Sequence, residues 1–348
     1  TYDDICLIPQ MTHLRSRNDA KTVVTFGRNN EIKLLAPFIS ANMDTVTGPE
    51  MAALIWDVGG IGALHRFNTV EEACKDYLEV KKINPPAECI VSVGVHGYKE
   101  RCEELAKVGA KYFVVDIAHG HSIAMKEALS WMKGNLRLKN GDKPYIIAGN
   151  VATGKGYRRL SDWGAHAIRT SVGSGSICTT RIQTGHGIPT ISAVMDCYEE
   201  KKDILDEGGE PALIIADGGI KNSGDVVKSL AAGADFVILG SMLSGTKETP
   251  GKVILDNEGN KIKMYNGMAS KEAQKVWKGS YSSVEGVSSY VPYKGTITKV
   301  VNEIMSNVRS GMSYSGASNL DQLRRNAIAV IQTSSSHTEG NPHIFNRK

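Results

Sequence analysis

Eight short runs of apolar, mostly β-branched residues recur along the chain, each closing on a small or polar residue. They occupy 37–41, 61–64, 89–93, 112–117, 145–148, 167–171, 212–216 and 236–239. Strands buried on both faces of a parallel sheet are written as continuous apolar runs rather than as alternation. Most of these runs lead into helical periodicity, as at 70–82, 99–108 and 224–232. Eight strand–helix units in series predict an α/β fold of the closed (β/α)8 type, the TIM barrel. An open doubly wound sheet is the alternative, and it usually takes fewer strands.

A bare barrel needs roughly 250 residues, and this chain has 348. The surplus falls outside the repeat. Residues 1–36 precede the first strand and are expected to cap the barrel base or pack on its side. Residues 246–295 follow the eighth strand. Within them 252–264 reads as a hairpin turning at Asn257-Glu258-Gly259-Asn260. Beyond it, 278–294 has almost no apolar period and is expected to be an irregular, mobile active-site flap; an ordinary surface loop is the alternative. Helix resumes at 297–309 and 319–331, and the tail 333–348 is polar. The expectation is a single barrel domain spanning 1–348.

Forty-one basic against 37 acidic residues leave a net charge of +4 with no long basic run, so nothing points to nucleic-acid binding. No apolar run reaches bilayer-spanning length, and the N-terminus lacks a signal-peptide pattern, so no membrane partner is expected. The six cysteines form no CxxC pair and no scaffold spacing. A cytoplasmic protein with reduced thiols is the expectation.

Barrels of this kind hold ligands at the C-terminal ends of their strands. Read in order, those ends carry Asn42 and Asp44, His65 and Arg66, Asp116, Asn150, the loop 171–181, Asp217-Gly218-Gly219, and Gly240-Ser241. Glycines after strands seven and eight let backbone N–H groups approach a phosphate, and Asp217 beside them suits a ribose. Simple βα turns are the bland alternative. In the loop after strand six, Cys178 stands among small and hydroxyl residues, with Thr180 two positions on. A thiolate there would be a nucleophile and Thr180 a proton relay; an inert buried cysteine is the alternative. Histidines 65, 96, 119, 121 and 186 also fall near the mouth, but Asp116-Ile-Ala-His119-Gly-His121 fits no standard metal spacing. No Rossmann fingerprint or Walker A motif occurs.

Gly173-Ser-Gly-Ser-Ile-Cys-Thr-Thr-Arg181, with Ala216-Asp-Gly-Gly219 and Leu239-Gly-Ser-Met242, resembles the IMP dehydrogenase/GMP reductase family. Ala41-Asn-Met-Asp44, Asp116-Ile-Ala-His-Gly-His-Ser122, Ala148-Gly-Asn-Val151 and Tyr265-Asn-Gly-Met268 extend the likeness over almost the whole chain. The resemblance implies a (β/α)8 barrel assembled as a homotetramer. It implies that Cys178 attacks C2 of a purine nucleotide, with Ser176, Gly218, Gly219, Gly240 and Ser241 on its phosphate and Asp217 on its ribose. Gly267 and Met268 would meet the base, and Gly286 would also touch the substrate. Asp116, Ala118, His119 and Asn150 would face the nicotinamide, and carbonyls of Gly173, Gly175 and Cys178 would hold a monovalent cation such as K+.

Within that family, dehydrogenases usually carry regulatory domains between strands two and three, where this chain has only 67–88. They also use an Arg-Tyr pair in the flap, which 277–286 lacks. Glu285-Gly286 and the ending Asn341-Pro-His-Ile-Phe345 instead resemble the reductase branch. That branch implies reductive deamination of GMP to IMP and ammonia by NADPH, or by NADH, through a Cys178 thioimidate. Thr180, Glu285 and Arg66 would assist. Arg66 stands where the family usually has Lys; Ser282 and Val287 replace the usual Arg and Lys. His-Gly-His-Ser at 119–122 and Arg309-Ser-Gly-Met312 look more like the dehydrogenase branch. Three alternatives stay open: a dehydrogenase taking IMP and NAD to XMP, a reductase of a deoxy or modified guanine nucleotide, and a non-catalytic nucleotide-binding barrel.

Overall fold

A computed structural model of the protein describes residues 1–280 and 283–342, without the side chains of Val276 and Lys278. Three short strands come first: β1 (Ile5–Leu7), β2 (Val24–Phe26) and β3 (Ile32–Leu34). Eight parallel strands then close into a barrel: β4 (Phe38–Ser40), β5 (Ile61–Leu64), β6 (Cys89–Val93), β7 (Tyr112–Asp116), β8 (Tyr145–Val151), β9 (Ala167–Thr170), β10 (Leu213–Asp217) and β11 (Phe236–Leu239). These match the eight apolar runs, and β5, β6 and β11 match them residue for residue. All five residues of β6 are buried, as a strand covered on both faces requires.

The helices that return the chain to the next strand are α1 (Pro49–Asp57), α2 (Val70–Ile83), α3 (Tyr98–Lys107), α4 (Ile123–Asn135) and α5 (Gly154–Asp162). A short α6 (Thr180–Thr184) precedes α7 (Thr190–Asp206), and α8 (Ser223–Ala231) follows β10. Several start on a side-chain cap. Thr69 and Glu72 form a capping box at α2, and Ser122, Thr153 and Asn222 accept an N–H of the first turn at α4, α5 and α8. Capped starts fix where each strand ends and its loop begins, and so where the mouth residues stand.

The N-terminal hairpin β2–β3 plugs the barrel base. Phe26 is fully buried and lies 4.7 Å from the Tyr145 ring, 5.4 Å from Tyr112 and 5.6 Å from Phe236. Each of those three rings belongs to the first residue of its strand.

Beyond β11 the chain forms β12 (Ile254–Leu255) and β13 (Lys261–Asn266), a hairpin whose turn is held by Asp256 Oδ1 accepting the N–H groups of Glu258 and Asn260. Helix α9 (Lys271–Lys278) follows. The irregular stretch expected over 278–294 contains a strand, β14 (Ser288–Pro292), which pairs with β13. No β14 residue is fully buried, so it leaves no apolar pattern; backbone pairing alone sets it. The last barrel helix, α10 (Ile297–Tyr314), outruns its expected end at 309. The helix expected over 319–331 is also corrected. Helix α11 (Leu320–Asn326) stops early, and β15 (Ala329–Ile331) pairs with β1 at the far end of the sequence. The polar tail starts as α12 (Ser334–Glu339), capped by Thr333. The Ser282 replacement, the motif residues 343–345 and the tail beyond 342 lie outside the described residues.

Candidate active site

Cys178 is half-buried in the loop between β9 and α7. Its thiol donates to Thr180 Oγ1 at 3.2 Å, and the Thr180 hydroxyl donates to Glu285 Oε2 at 2.7 Å. Local chain direction brings the first two together. Glu285 reaches them from 105 residues away because its segment is laced into place by backbone bonds. The Thr179 N–H donates to Glu285 O at 2.8 Å, and the Val287 N–H to Ile177 O at 3.0 Å. On the other side Gly267 N–H donates to Val287 O at 3.0 Å and Glu285 N–H to Ala269 O at 3.2 Å. Residues 285–287 therefore sit between the cysteine loop and the Gly267–Met268 loop, and Gly286 is buried there.

A cavity of about 270 Å³ opens on the cysteine loop, lined by Ser176, Thr190, Gly219 and Ser241 together with the N-terminal Thr1, Tyr2 and Asp3 among others. Gly218 holds φ at +91°, and a Cβ there would lie 3.0 Å from the Gly175 amide; only glycine lets the β10 loop meet the cysteine loop so closely. Ser176 Oγ lies 3.3 Å from the Tyr265 hydroxyl, and a Cβ on Gly240 would come within 3.1 Å of that same hydroxyl. Small residues from two loops thus approach one phenol. Burial pushes the Tyr265 pKa up, so it stays a neutral hydrogen-bonding group.

Across the mouth runs a chain of charges. Buried Arg169 donates from Nη1 to Asp116 Oδ1 at 2.6 Å and from Nη2 to Asp217 Oδ2 at 2.7 Å. Asn150 Nδ2 donates to the same Asp217 oxygen at 2.7 Å and to Ser171 O at 3.0 Å. No protein donor meets Asp217 Oδ1 among the described residues. Arg66 Nε donates to Asp116 O at 3.0 Å, with Asp116 Oδ2 at 3.4 Å. Burial pushes the Asp116 carboxyl up, but Arg169 and Arg66 outweigh it and hold the group below the usual carboxylate range. The Arg66 guanidinium also lies 4.4 Å from the Phe67 ring centre, and Phe67 packs on Trp277 of α9 at 5.0 Å.

Cys178, Thr180 and Glu285 are thus brought together, as are Ser176, Gly218, Gly219, Gly240 and Ser241. Arg66 stands with Asp116 rather than with the thiol. Ala118 and His119 are exposed at the rim, and no cluster of metal-ligating side chains exists among the described residues. Met268 lies against Asp44, whose N–H donates to Met268 Sδ at 3.3 Å. Two buried oxygens there, Asp44 Oδ1 and Asn266 Oδ1, have no partner among the described residues. Sequence reasoning missed Arg169 and Tyr265. A lone charge inside the apolar run Ala167-Ile-Arg-Thr170 was the available signal for the first; the second follows only from how the flap hairpin folds back.

A family model described as "IMP dehydrogenase / GMP reductase domain" matches residues 1–343. The inosine-5'-monophosphate dehydrogenase of Nitrosopumilus maritimus is 32% identical over 478 aligned residues, covering 99% of this chain and 98% of its own. Mouse GMP reductase 2 is 34% identical over 342 residues, covering 95% and 94%. A crystal structure of a cysteine-to-alanine GMP reductase from Trypanosoma brucei, in complex with guanosine 5'-monophosphate, superposes with a TM-score of 0.88 at 27% identity, covering 99% and 98%.

Proposed function

The chain belongs to the IMP dehydrogenase/GMP reductase family, and from that premise we propose that it is a GMP reductase converting GMP to IMP and ammonia with NADPH as reductant. The Cys178–Thr180–Glu285 chain carries this reading. Removing an amino group needs a proton delivered to nitrogen, and Thr180 links a carboxyl group to the nucleophile by two short hydrogen bonds.

Cys178 Sγ bonds to purine C2 as its proton passes to the ring. The C2–N bond then breaks, with the amino group taking a proton through Thr180 and Glu285 and leaving as ammonia, so that a Cys178 thioimidate remains. When bound, NADPH supplies the hydride for C2. The C2–S bond then breaks, IMP leaves, and Cys178 recovers a proton. Dividing the substitution in two avoids one high barrier. The flap end, bonded to Ile177 and Thr179 on either side of the thiol, keeps out the water that would hydrolyse the intermediate to XMP.

Ser176, Gly218, Gly219, Gly240 and Ser241, joined by Tyr265, hold the phosphate in this reading. Asp217 presents Oδ1 to the ribose, and Gly267, Met268 and Gly286 border the base. Asp116, Ala118 and His119 face the nicotinamide, and Asn150 acts through Asp217, to which its side chain is bonded. Arg66 cannot give up its proton and acts as a fixed charge beside Asp116. Carbonyls of Gly173 and Cys178 accept no hydrogen bond among the described residues and fit a monovalent cation; that of Gly175 takes the Cys178 N–H at 3.0 Å. Such a cation would brace the loop rather than react.

The likeness to the Nitrosopumilus maritimus IMP dehydrogenase keeps a second reading, IMP and NAD to XMP. Absorbance at 340 nm separates the two. NADPH oxidation that requires GMP and releases ammonia is the expected result; NAD reduction with IMP and no reaction with GMP overturns the proposal.

A further inference from the structure

Lys294 sits two residues beyond β14, at the foot of the flap, with its side chain half-buried behind the loop that follows β11. Its Nζ donates to Ser241 O at 2.6 Å and Met242 O at 3.3 Å, and its backbone N–H donates to Gly245 O at 2.8 Å. No carboxylate pairs with it among the described residues. Burial pushes its pKa down, the sign of an ammonium short of negative charge.

The loop it supports is a single tight turn. Leu243 and Ser244 both donate to Gly240 O, at 3.0 and 2.8 Å. The N–H groups of Ser241 and Met242 are thereby left without a partner among the described residues. In a trans peptide C=O and N–H point in opposite directions. With the Ser241 carbonyl turned to Lys294, the Met242 N–H is on the opposite side of that peptide from the ammonium. We propose that Lys294 is a positioning residue for the substrate's phosphate, its charge and the Ser241–Met242 peptide dipole arranged in series with the anion. This rests on the nucleotide reading above, whichever way the redox reaction runs. The turn and the flap foot are in close backbone contact: Gly245 holds φ at +79°, and a Cβ there would lie 2.3 Å from Pro292 O. No side chain fits between them.

The test compares binding of IMP and of inosine, which lacks the phosphate, by calorimetry. Lys294→Met should weaken IMP on the order of tenfold or more, the scale of a unit charge several ångströms away in a partly buried site. Inosine affinity should not change, and Lys294→Arg should recover most of the loss. Lys294→Gln keeps a donor for the Ser241 carbonyl without the charge; it should show the same split and replaces Lys294→Met if that variant does not fold. Unchanged IMP affinity, or equal losses for IMP and inosine, overturns the proposal. Only binding is read, so a failed GMP reduction assay does not touch this result.

Discussion

The two ends of the barrel are built from the same strands by opposite means. Strand β7 begins at the base with Tyr112, packed on Phe26 and donating its hydroxyl to Glu31 at 2.7 Å, and ends at the mouth with Asp116 between two arginines. Strand β8 begins with Tyr145 in the same aromatic plug and reaches Asn150 bonded to Asp217. At the base, polar groups such as the Tyr112 hydroxyl and Arg28, which donates to Pro144 O at 3.4 Å, find partners within the protein. At the mouth, Asp44 Oδ1, Asn266 Oδ1 and the first amides after β11 are left over, whereas the base atoms without a hydrogen bond, Glu88 Oε2 and Arg324 Nε, belong to side chains held in ion pairs with Lys81 and Asp235. Unpaired buried polar atoms cost stability unless a ligand meets them. The base is therefore arranged for stability and the mouth for a ligand.

That contrast is tested first at Cys178. Cys178→Ala should remove turnover by at least about 10⁴-fold, since the covalent route is lost. Thermal unfolding should barely change, because the side chain is half-buried and already small. Retained GMP-dependent NADPH oxidation would reject the covalent mechanism. Arg169 is the exception that sharpens the rule, a mouth residue on which stability also depends. Arg169→Met leaves Asp116 with Arg66 alone and Asp217 with only the neutral Asn150, two buried carboxylates short of their main cation, and should cost about 3 kcal/mol in denaturant unfolding. The KM values for both nucleotide and cofactor should rise together, since one guanidinium holds both carboxylates. A loss confined to one substrate would show that the bridge does not join the two halves of the site.

Phe26→Ala probes the other end. Emptying the plug should cost about 3–4 kcal/mol, while kcat/KM of the protein that remains folded at 25 °C stays at the wild-type value. A drop in kcat/KM beyond the unfolded fraction would mean that base and mouth are not separable.

The same contrast explains what was legible beforehand. The eight strands could be read because a strand covered on both faces must be apolar throughout. Cys178 and Thr180 were readable as neighbours. Glu285 was not; no local spacing joins it to Thr180, and only the family resemblance named it. Arg169 hides inside an otherwise apolar run, because its burial is offset by two carboxylates from other strands. β14 and β15 went unread for a simpler reason. They lie on the outside of the barrel, where pairing partners rather than hydrophobic burial decide the conformation, and those partners are distant in sequence.

The smallest expected effect compares the two ends directly, because each carries a histidine kept neutral by its surroundings. At the base, His166 Nδ1 accepts the Ile146 N–H at 2.9 Å and Arg28 lies 3.3 Å from Nε2; burial and then Arg28 push its pKa down to about 4. At the mouth, His65 Nδ1 accepts the Phe67 N–H at 3.2 Å, and burial followed by the charge of Arg101 pushes it down to about 4 as well. Between pH 6.5 and 4 the unfolded chain takes up a proton that the folded histidine refuses. Stability is therefore full above about pH 6.5 and falls as the solution is acidified towards the folded value. Each histidine should account for about 1–2 kcal/mol of loss between pH 6.5 and 5. His166→Asn and His65→Asn each retain an acceptor for the backbone N–H and remove the titration, so urea midpoints at pH 7 and 5 should converge partway in each variant. Equal convergence means that burial treats both ends alike and that only the unpaired groups distinguish the mouth. If His65→Asn remains as acid-sensitive as the wild type while His166→Asn does not, water already reaches the mouth histidine, and the base alone sets the acid stability of the barrel.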